Sequence, residues 1–340
     1  MSGINGSMAH LSDGLFTTAI ATYAVAMVGF TAEYAFARVG RKLDVRAAAP
    51  ERVLVGAGGP PVRERVPSAS SLDDTPTVER RSGARRIGRW SVVVLVLGAL
   101  IHAGSIGVRA IAVDAVPWSN MYEFSSVAGL VAVLAFLGVL WKLPTLRYLG
   151  GFVLLPVILM MFLAGTVLYS KAEPLVPALQ SYWLAIHVTL VSIGEGALMT
   201  SAVLSVLYLV KIRHDRLSAQ PGYRAKSMGT LAAKLPAAAA LDKAAYRVVA
   251  FSFPLYTVAI ICGAIWAEAA WGRYWGWDPK ETWAFIAWVV YACYLHARAT
   301  AGWKGRIAAW INLLGFFSIT FNFFIVNMVV SGLHSYAGLS

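Results

Sequence analysis

The sequence predicts an all-α polytopic membrane protein with about eight transmembrane helices. Of its 340 residues, 58% are hydrophobic and only 14% are charged, a composition too apolar for an ordinary water-soluble domain. The apolar residues also come in runs of about 20, the length that an α-helix needs to cross a bilayer. These runs place the eight helices at 13–37, 90–112, 121–141, 148–169, 183–210, 248–270, 283–300 and 307–330.

The distribution of Lys and Arg predicts the orientation of these helices. All but four of the 29 Lys and Arg residues fall in connections on one side of the bundle, at 38–89, 142–147, 211–247 and 298–306. Cytoplasmic loops retain positive charge, so these connections are expected in the cytoplasm and both termini on the extracytoplasmic side. The net charge of +12 then follows from membrane topology, and no nucleic-acid partner is expected.

Three regions follow one another along the chain. Residues 1–37 are expected to form a retained N-terminal transmembrane helix, because the positive charges follow the apolar run, the reverse of a signal peptide. Residues 38–89 are rich in Pro, Gly, Ser, Ala and Arg, which predicts a disordered basic cytoplasmic linker. Residues 90–340 hold the other spans and the candidate functional residues.

The segment 266–288 carries six of the chain's twelve tryptophans. Between Trp271 and Trp277 it is too short and too rich in glycine to cross a membrane, so a loop is expected on which a flat ligand can rest. Tryptophans collect at the interface of any multispan protein, but this density exceeds what such a belt requires. Asp278 and Glu281 have the spacing of a capping box, which predicts that they start the next helix.

Two histidines are expected close to this loop. His187 lies at the outer end of the fifth predicted span, and His334 lies just beyond the outer end of the eighth. Histidine is a common protein ligand of heme iron. One imidazole on each face would hold a macrocycle that rests on the aromatic rings, whereas a single histidine at a helix end more often satisfies a backbone carbonyl.

Other ionisable residues fall inside predicted spans, where such groups are functional candidates. Arg109 follows His102 by seven residues on nearly the same helix face, so the two are expected to line an interior path or to form a buried structural pair. His296 is expected to serve an inner cofactor site or to contact the membrane interface. Glu195 between two glycines is the best feature of a different interpretation, a transporter unrelated to heme. That interpretation leaves the tryptophans unexplained.

The run at 271–283 reads Trp-Gly-Arg-Tyr-Trp-Gly-Trp-Asp-Pro-Lys-Glu-Thr-Trp. It resembles the tryptophan-rich WWD signature of the cytochrome c assembly membrane proteins that handle heme. The segments 177–187, 120–123 and 332–337 agree with the same family, so that the resemblance covers roughly 90–340. The arrangement is most similar to the heme-handling subunit of the two-component cytochrome c synthase.

This resemblance implies a heme site and the roles of its residues. His187 and His334 would be the axial ligands of the iron of heme b, and His296 would belong to an inner heme site, for which His102 is a further candidate. The tryptophans of the loop would form the platform, Arg273 or Lys280 would pair with heme propionates, and Asp278 would fix the loop at its end. The platform tryptophans are Trp271, Trp275 and Trp277.

The resemblance also implies partners and an activity. The expected partners are a ResB-type membrane subunit, an apocytochrome c with a Cys-x-x-Cys-His motif and, indirectly, a thioredoxin-like thiol reductant. Heme would cross to the extracytoplasmic face of the cell membrane and be attached there through thioether bonds, without a dedicated catalytic acid or base. The alternative is a heme-delivery protein that hands heme to a separate chaperone without ligating it.

Overall fold

The computed structural model describes residues 5–47, 75–117, 119–173, 179–221, 231–300 and 302–333. This part of the chain is built on eight principal helices. They are α1 (Gly6–Ala47), α2 (Thr75–Val113), α3 (Met121–Lys142), α4 (Gly150–Thr166), α5 (Tyr182–Ser218), α6 (Ala238–Trp271), α7 (Pro279–Ala299) and α8 (Arg306–Phe321). A 3₁₀ turn at Pro144–Leu149 precedes α4, and a π-helical turn at Asn322–Val326 continues α8 into Asn327–Val329.

The predicted fold class is confirmed, since the chain is a polytopic all-α membrane protein. Within the described ranges, seven helices are long and apolar enough to span a membrane. The remaining principal helix, α7, has 21 residues and is therefore about 31 Å long, which is enough to cross the hydrocarbon core. Its charged residues lie near its two ends, at Lys280, Glu281 and Arg298, and they lower its mean hydropathy.

Helices α1 and α2 are longer than the spans predicted for them. Helix α1 continues to Ala47 and α2 begins at Thr75, so that both enter the region predicted as a linker at 38–89. Hydropathy marks only the apolar part of a helix that projects out of the bilayer, which is why the polar extensions were not predicted. The rest of the predicted linker, at 48–74, lies outside the described residues.

The helices pack in two groups that meet at α3 and α5. One core joins α1 to α4 with parts of α5 and α6 and includes Phe30 and Phe136, and the other joins α5 to α8 around Tyr256 and Tyr291. Between α3 and α5 the backbones come close at Gly196, where a Cβ atom would lie 2.5 Å from the Ala128 carbonyl oxygen. Small residues allow this close packing between helices in membranes.

Candidate functional site

A cavity of about 190 Å³ lies between α3, α5, α6 and α7 at the end of the bundle where α6 ends and α7 begins. Its lining residues on α6 extend from Tyr256 to Trp271, a rise of about 22 Å along the helix axis. The cavity is therefore a deep slot. Its mouth is lined by aromatic side chains, namely Trp266, Trp271, Tyr274 and Trp275.

His187 lines this cavity from α5, and a hydrogen bond fixes its tautomer. Its Nδ1 atom lies 2.7 Å from the carbonyl oxygen of Ala259 on α6. A carbonyl only accepts, so Nδ1 carries the proton and the Nε2 of the neutral ring keeps its lone pair. Metal-binding histidines are oriented in this way by a second hydrogen bond, and Nε2 of His187 is therefore available as a ligand.

A glycine on α6 makes room for the His187 ring. A Cβ atom on Gly263 would lie 2.6 Å from Nδ1 of His187, closer than any ordinary contact. A side chain at this position would push the imidazole away from the Ala259 carbonyl. Gly263 is thus a site residue that the sequence analysis missed, because a single glycine inside an apolar helix carries no signal of its own.

The tryptophan loop joins α6 to α7 through two residues in the left-handed region. Gly272 ends α6 with a φ of 70°, and Trp277 has a φ of 58°, which is uncommon for a residue with a bulky side chain. The capping box predicted for Asp278 and Glu281 is present at the start of α7. The Glu281 carboxylate also accepts the Gly276 amide at 2.8 Å, so that it holds the loop directly before Trp277.

The tryptophans predicted as a platform do not all face the cavity. Trp271 and Trp275 line it, and Trp271 packs edge-on against Trp266 with ring centroids 4.8 Å apart. Trp277 is not among the lining residues, is 65% exposed and packs edge-on against Trp275 and Phe285. Trp266 takes its place in the lining and is 3% exposed.

The Asp278 side chain links the loop to the C-terminal segment. Its Oδ1 atom accepts the Leu333 amide at 2.9 Å, while Oδ2 accepts the Lys280 amide at 3.3 Å. Leu333 is the residue before His334, which itself lies outside the described residues. Asp278 is thus both the N-cap of α7 and the contact that holds the chain next to the second predicted ligand.

The two cations proposed as propionate partners differ in position. Lys280 lines the cavity and its Nζ atom donates to Oδ1 of Asn327. Arg273 does not line the cavity, and its guanidinium lies in the space next to Gly276 that a side chain there would need. Glu195 also lines the cavity and interacts electrostatically with Lys280, which gives this intramembrane carboxyl group the neighbour that the sequence did not reveal.

His102 lies away from the cavity, in the packed interface of α1, α2 and α3. Its side chain is fully buried, its Nδ1 lies 3.2 Å from the Tyr23 hydroxyl and its Nε2 lies 3.0 Å from the Ser126 hydroxyl. Both ring nitrogens are therefore occupied. This position favours the interpretation of His102 as a buried structural residue over that of an open ligand.

Arg109 lies above His102 at the end of α2, within a network of charges. Its Nε donates to Glu123 at 3.0 Å and its Nη2 to the Ser170 carbonyl at 2.7 Å. Asp13 lies 3.4 Å from Nη1 and accepts the Tyr169 hydroxyl at 2.7 Å. Burial and this bond to Asp13 raise the pKa of the Tyr169 hydroxyl, which keeps it a proton donor to the carboxylate.

His296 is far from the cavity as well. It lies 18 residues after Asp278 on α7, about 27 Å along the helix axis, and its side chain is exposed. A cofactor bound at His296 would therefore occupy a separate site from the cavity at His187. The inner-site role of His296 stays a prediction.

Comparison with known proteins agrees with this geometry. The family model described as "Cytochrome C assembly protein" matches residues 118–334, which include His187, the tryptophan loop and His334. The cytochrome c biogenesis protein CcsA of Trieres chinensis is 38% identical over 278 residues, covering 75% of this chain and 88% of that protein. The CcsA protein of Synechococcus elongatus is 36% identical over 284 residues, covering 71% and 85%.

A third relative has the same name. The CcsA protein of Guillardia theta is 38% identical over 248 residues, which cover 69% of this chain and 81% of that protein. The family match begins at residue 118, so it includes the whole cavity and leaves α1 and α2 outside. The chain belongs to the cytochrome c assembly protein family.

Proposed function

We propose that this chain is the heme-binding subunit of a cytochrome c synthase. It binds heme b at the extracytoplasmic face of the cell membrane and presents it for covalent attachment to Cys-x-x-Cys-His motifs of apocytochrome c. The observation that carries the proposal is His187, whose Nδ1 is tied to the Ala259 carbonyl at 2.7 Å and whose Nε2 is left as a ligand in a tryptophan-lined cavity. His334 is the second axial ligand in this proposal.

The residues of the cavity suit heme as cargo. Aromatic walls at Trp271 and Trp275 offer flat apolar surfaces to a porphyrin, and the slot is about 22 Å deep along α6. His187 supplies the nitrogen donor that ferrous or ferric heme prefers among uncharged side chains. Lys280 supplies a positive charge for a carboxylate. Each chemical part of heme b thus has a matching side chain.

The chemistry of attachment does not require a dedicated catalytic acid or base. Each cysteine S–H adds across one vinyl C=C bond: the sulfur bonds to the carbon next to the ring, the hydrogen goes to the terminal carbon, and nothing leaves. Such a step gains most of its rate from the alignment of two reactants. The chain aligns them by holding the iron at His187, by keeping water from the porphyrin face with tryptophans, and by giving up one axial position to the substrate histidine.

Family membership supports a proposal for the wider assembly. A ResB-type membrane subunit is the proposed partner, heme reaches the site from the cytoplasmic side, and a thioredoxin-like reductant keeps the apocytochrome thiols reduced. The distribution of Lys and Arg supports an extracytoplasmic cavity, because positive loops stay in the cytoplasm.

The direct test is the optical spectrum of the full chain, purified with any partner that accompanies it. A Soret band is expected in the wild type and its loss or marked shift in His187→Ala, while added imidazole should restore it in that variant by filling the vacated axial position. A His187→Ala variant with the unchanged wild-type spectrum would refute the proposal.

Reconstitution separates synthesis from mere delivery. The chain and its partner are coexpressed with an apocytochrome c, and the product is extracted with acid. Covalent heme formed without an added heme chaperone supports the synthase. Covalent heme that appears only when such a chaperone is supplied would instead support the heme-delivery alternative.

A further inference from the structure

The bend that precedes α3 forms part of the cavity wall. Ser119, Asn120 and Met121 line the cavity, and the two polar residues are only half-buried. Apolar packing is therefore a weak restraint on Ser119 and Asn120. Hydrogen bonds hold them instead: the Asn120 side chain donates to the Ser119 hydroxyl at 3.1 Å, and its Oδ1 atom accepts the Glu123 amide at 2.9 Å.

The Glu123 carboxylate connects this bend to α2. Its Oε2 atom accepts both the Ser119 amide at 2.9 Å and the Ser119 hydroxyl at 2.7 Å. Its Oε1 atom accepts Nε of Arg109 on α2 at 3.0 Å. An ionised carboxylate only accepts hydrogen bonds. One oxygen of Glu123 is therefore bonded to the bend before α3, and the other is bonded to α2.

Arg109 fixes the plane of this carboxylate. Its guanidinium is planar, presents its donors in a rigid fork and is 2% exposed as a residue. Nη2 donates to the Ser170 carbonyl at 2.7 Å, and Nη1 lies 3.4 Å from Asp13 on α1. These contacts direct Nε at Glu123. The bend is thus connected to α1 and α2, which lie outside the family match at 118–334.

Helix capping alone does not account for Glu123. A glutamate at the third position of a helix commonly bonds back to the backbone amide of the N-cap residue, as Glu281 does in α7. In α3 the N-cap residue is Asn120, and Glu123 bonds past it to Ser119. A cap also works at an exposed helix end, whereas Glu123 is 3% exposed and its charge has to be compensated inside the bundle. This burial indicates a role beyond the start of α3.

We propose that Glu123 is a positioning residue of the heme cavity: its carboxylate, oriented by Arg109, fixes the bend at Ser119 and Asn120 in the shape that receives heme. This inference rests on the proposed function, because it gives a residue outside the cavity lining a part in heme binding. A binding wall that is already ordered loses little free energy to ordering when its ligand arrives. Without the carboxylate the bend can adopt other conformations, and bound heme should leave faster.

The test compares Glu123→Gln with Asp13→Asn, since each variant removes one carboxylate charge next to Arg109. A glutamine has one acceptor oxygen where Glu123 uses two, so it cannot serve both Arg109 and Ser119. Asp13→Asn leaves both oxygens of Glu123 in place. The full chain, with its partner where it copurifies, is loaded with heme b and mixed with excess apomyoglobin as a heme acceptor.

The change of the Soret band gives the rate of heme loss. Glu123→Gln should lose heme about tenfold faster than the wild type, the effect of one hydrogen bond to a charged group. Asp13→Asn should stay within about twofold. The Soret position of the loaded chain should be that of the wild type in both variants, because His187 is untouched. Ser119→Ala keeps the buried ion pair and removes one of the two bonds to Glu123, so it should also speed heme loss, by a smaller factor.

Hydrogen exchange of the full chain before heme is added provides a measurement that does not depend on heme. The Ser119 amide donates to Glu123, so exchange at the bend should be faster in Glu123→Gln than in the wild type and unchanged in Asp13→Asn. Unchanged exchange along α5 in both variants shows that the bundle is folded.

The outcomes separate this inference from the proposed function. Equal rates of heme loss in Glu123→Gln and Asp13→Asn, equal exchange at the bend, or a wild-type rate in Ser119→Ala would each overturn the positioning role alone. A wild-type chain that takes up no heme would overturn the proposed function, and the positioning role with it.

Discussion

Asp278 accepts a hydrogen bond from the Leu333 amide at 2.9 Å across 55 residues of sequence. The same carboxylate caps α7, so one side chain fixes both the end of the tryptophan loop and the residue before His334. A backbone that passes this close needs Gly332, where a Cβ atom would lie 2.7 Å from Asp278 Oδ1. Asp278 thus holds the start of α7 and the C-terminal segment together.

Substitution of Asp278 should separate its two roles. Serine can still cap a helix, whereas its shorter side chain cannot reach the Leu333 amide. Asp278→Ala should cost about 1 kcal/mol of stability through the lost cap, and Asp278→Ser should recover most of it. Both variants should show the same change in the axial-ligand bands of bound heme. A wild-type heme spectrum in Asp278→Ser would show that the Leu333 contact does not position the second ligand.

Gly263→Ala should weaken heme binding without removing any ligand. The new methyl group would meet Nδ1 of His187 at 2.6 Å and break its bond to Ala259, so the imidazole would lose its orientation. We expect a tenfold to hundredfold loss of affinity, of the order seen when an outer-shell partner of a metal ligand is removed, measured by titration with heme b.

The matched control is Gly194→Ala, also at a helix contact near the cavity. Its Cβ atom would meet Tyr256 at 3.5 Å, an ordinary van der Waals distance, so heme affinity should stay within about twofold, as is usual for changes without a clash. Equal losses in both variants would indicate that helix packing, and not the His187 ring, controls binding.

Much of this site could be predicted from local sequence patterns. The capping box of Asp278 and Glu281 depends on a spacing of three residues, and the tryptophan loop shows in composition alone. The bond from Leu333 to Asp278 could not be predicted, because it joins residues far apart in sequence. The sequence also could not predict which of Lys280 and Arg273 faces the cavity, because both flank the loop and only the fold decides between them.

The fold, too, divides into features that the sequence predicts and features that it does not. Apolar runs predicted the membrane parts of α1 and α2, but hydropathy has no information on where a helix ends in water. The prediction of Trp277 as a platform residue relied on residue type. In the structure its backbone is left-handed, with a φ of 58°, and its side chain lies outside the cavity lining. Residue type alone does not predict a left-handed backbone at a bulky residue.

His102→Ala should affect stability and leave the cavity spectrum unchanged. The substitution removes a ring that bonds both Tyr23 and Ser126 and leaves these groups buried without a partner, at a cost of about 1–3 kcal/mol. The heme that His187 binds should keep its Soret position and intensity per folded protein. Thermal unfolding in detergent measures the first effect. If the amount of bound heme fell by a larger fraction than the amount of folded protein, His102 would have a direct role in heme binding.

Arg109→Met should be among the most destabilising single changes in α2. It removes the charge that compensates Glu123 at 3.0 Å and Asp13 at 3.4 Å, and Glu123 is 3% exposed. Breaking a buried ion pair from one side costs about 3–5 kcal/mol, because the remaining carboxylate is left in a medium that cannot solvate it. Thermal unfolding of the purified chain should show a clearly lower midpoint.

The double variant Arg109→Met with Glu123→Gln tests this cause. Removal of the Glu123 charge should recover part of the lost stability, since the uncompensated carboxylate is gone. A control at the other end of the bundle, Lys211→Met, breaks the ion pair to Asp215, whose side chain is 50% exposed, and should cost no more than about 0.5 kcal/mol. If Arg109→Met and Lys211→Met proved equally mild, the network around Arg109 would not be the anchor of α2 on α3.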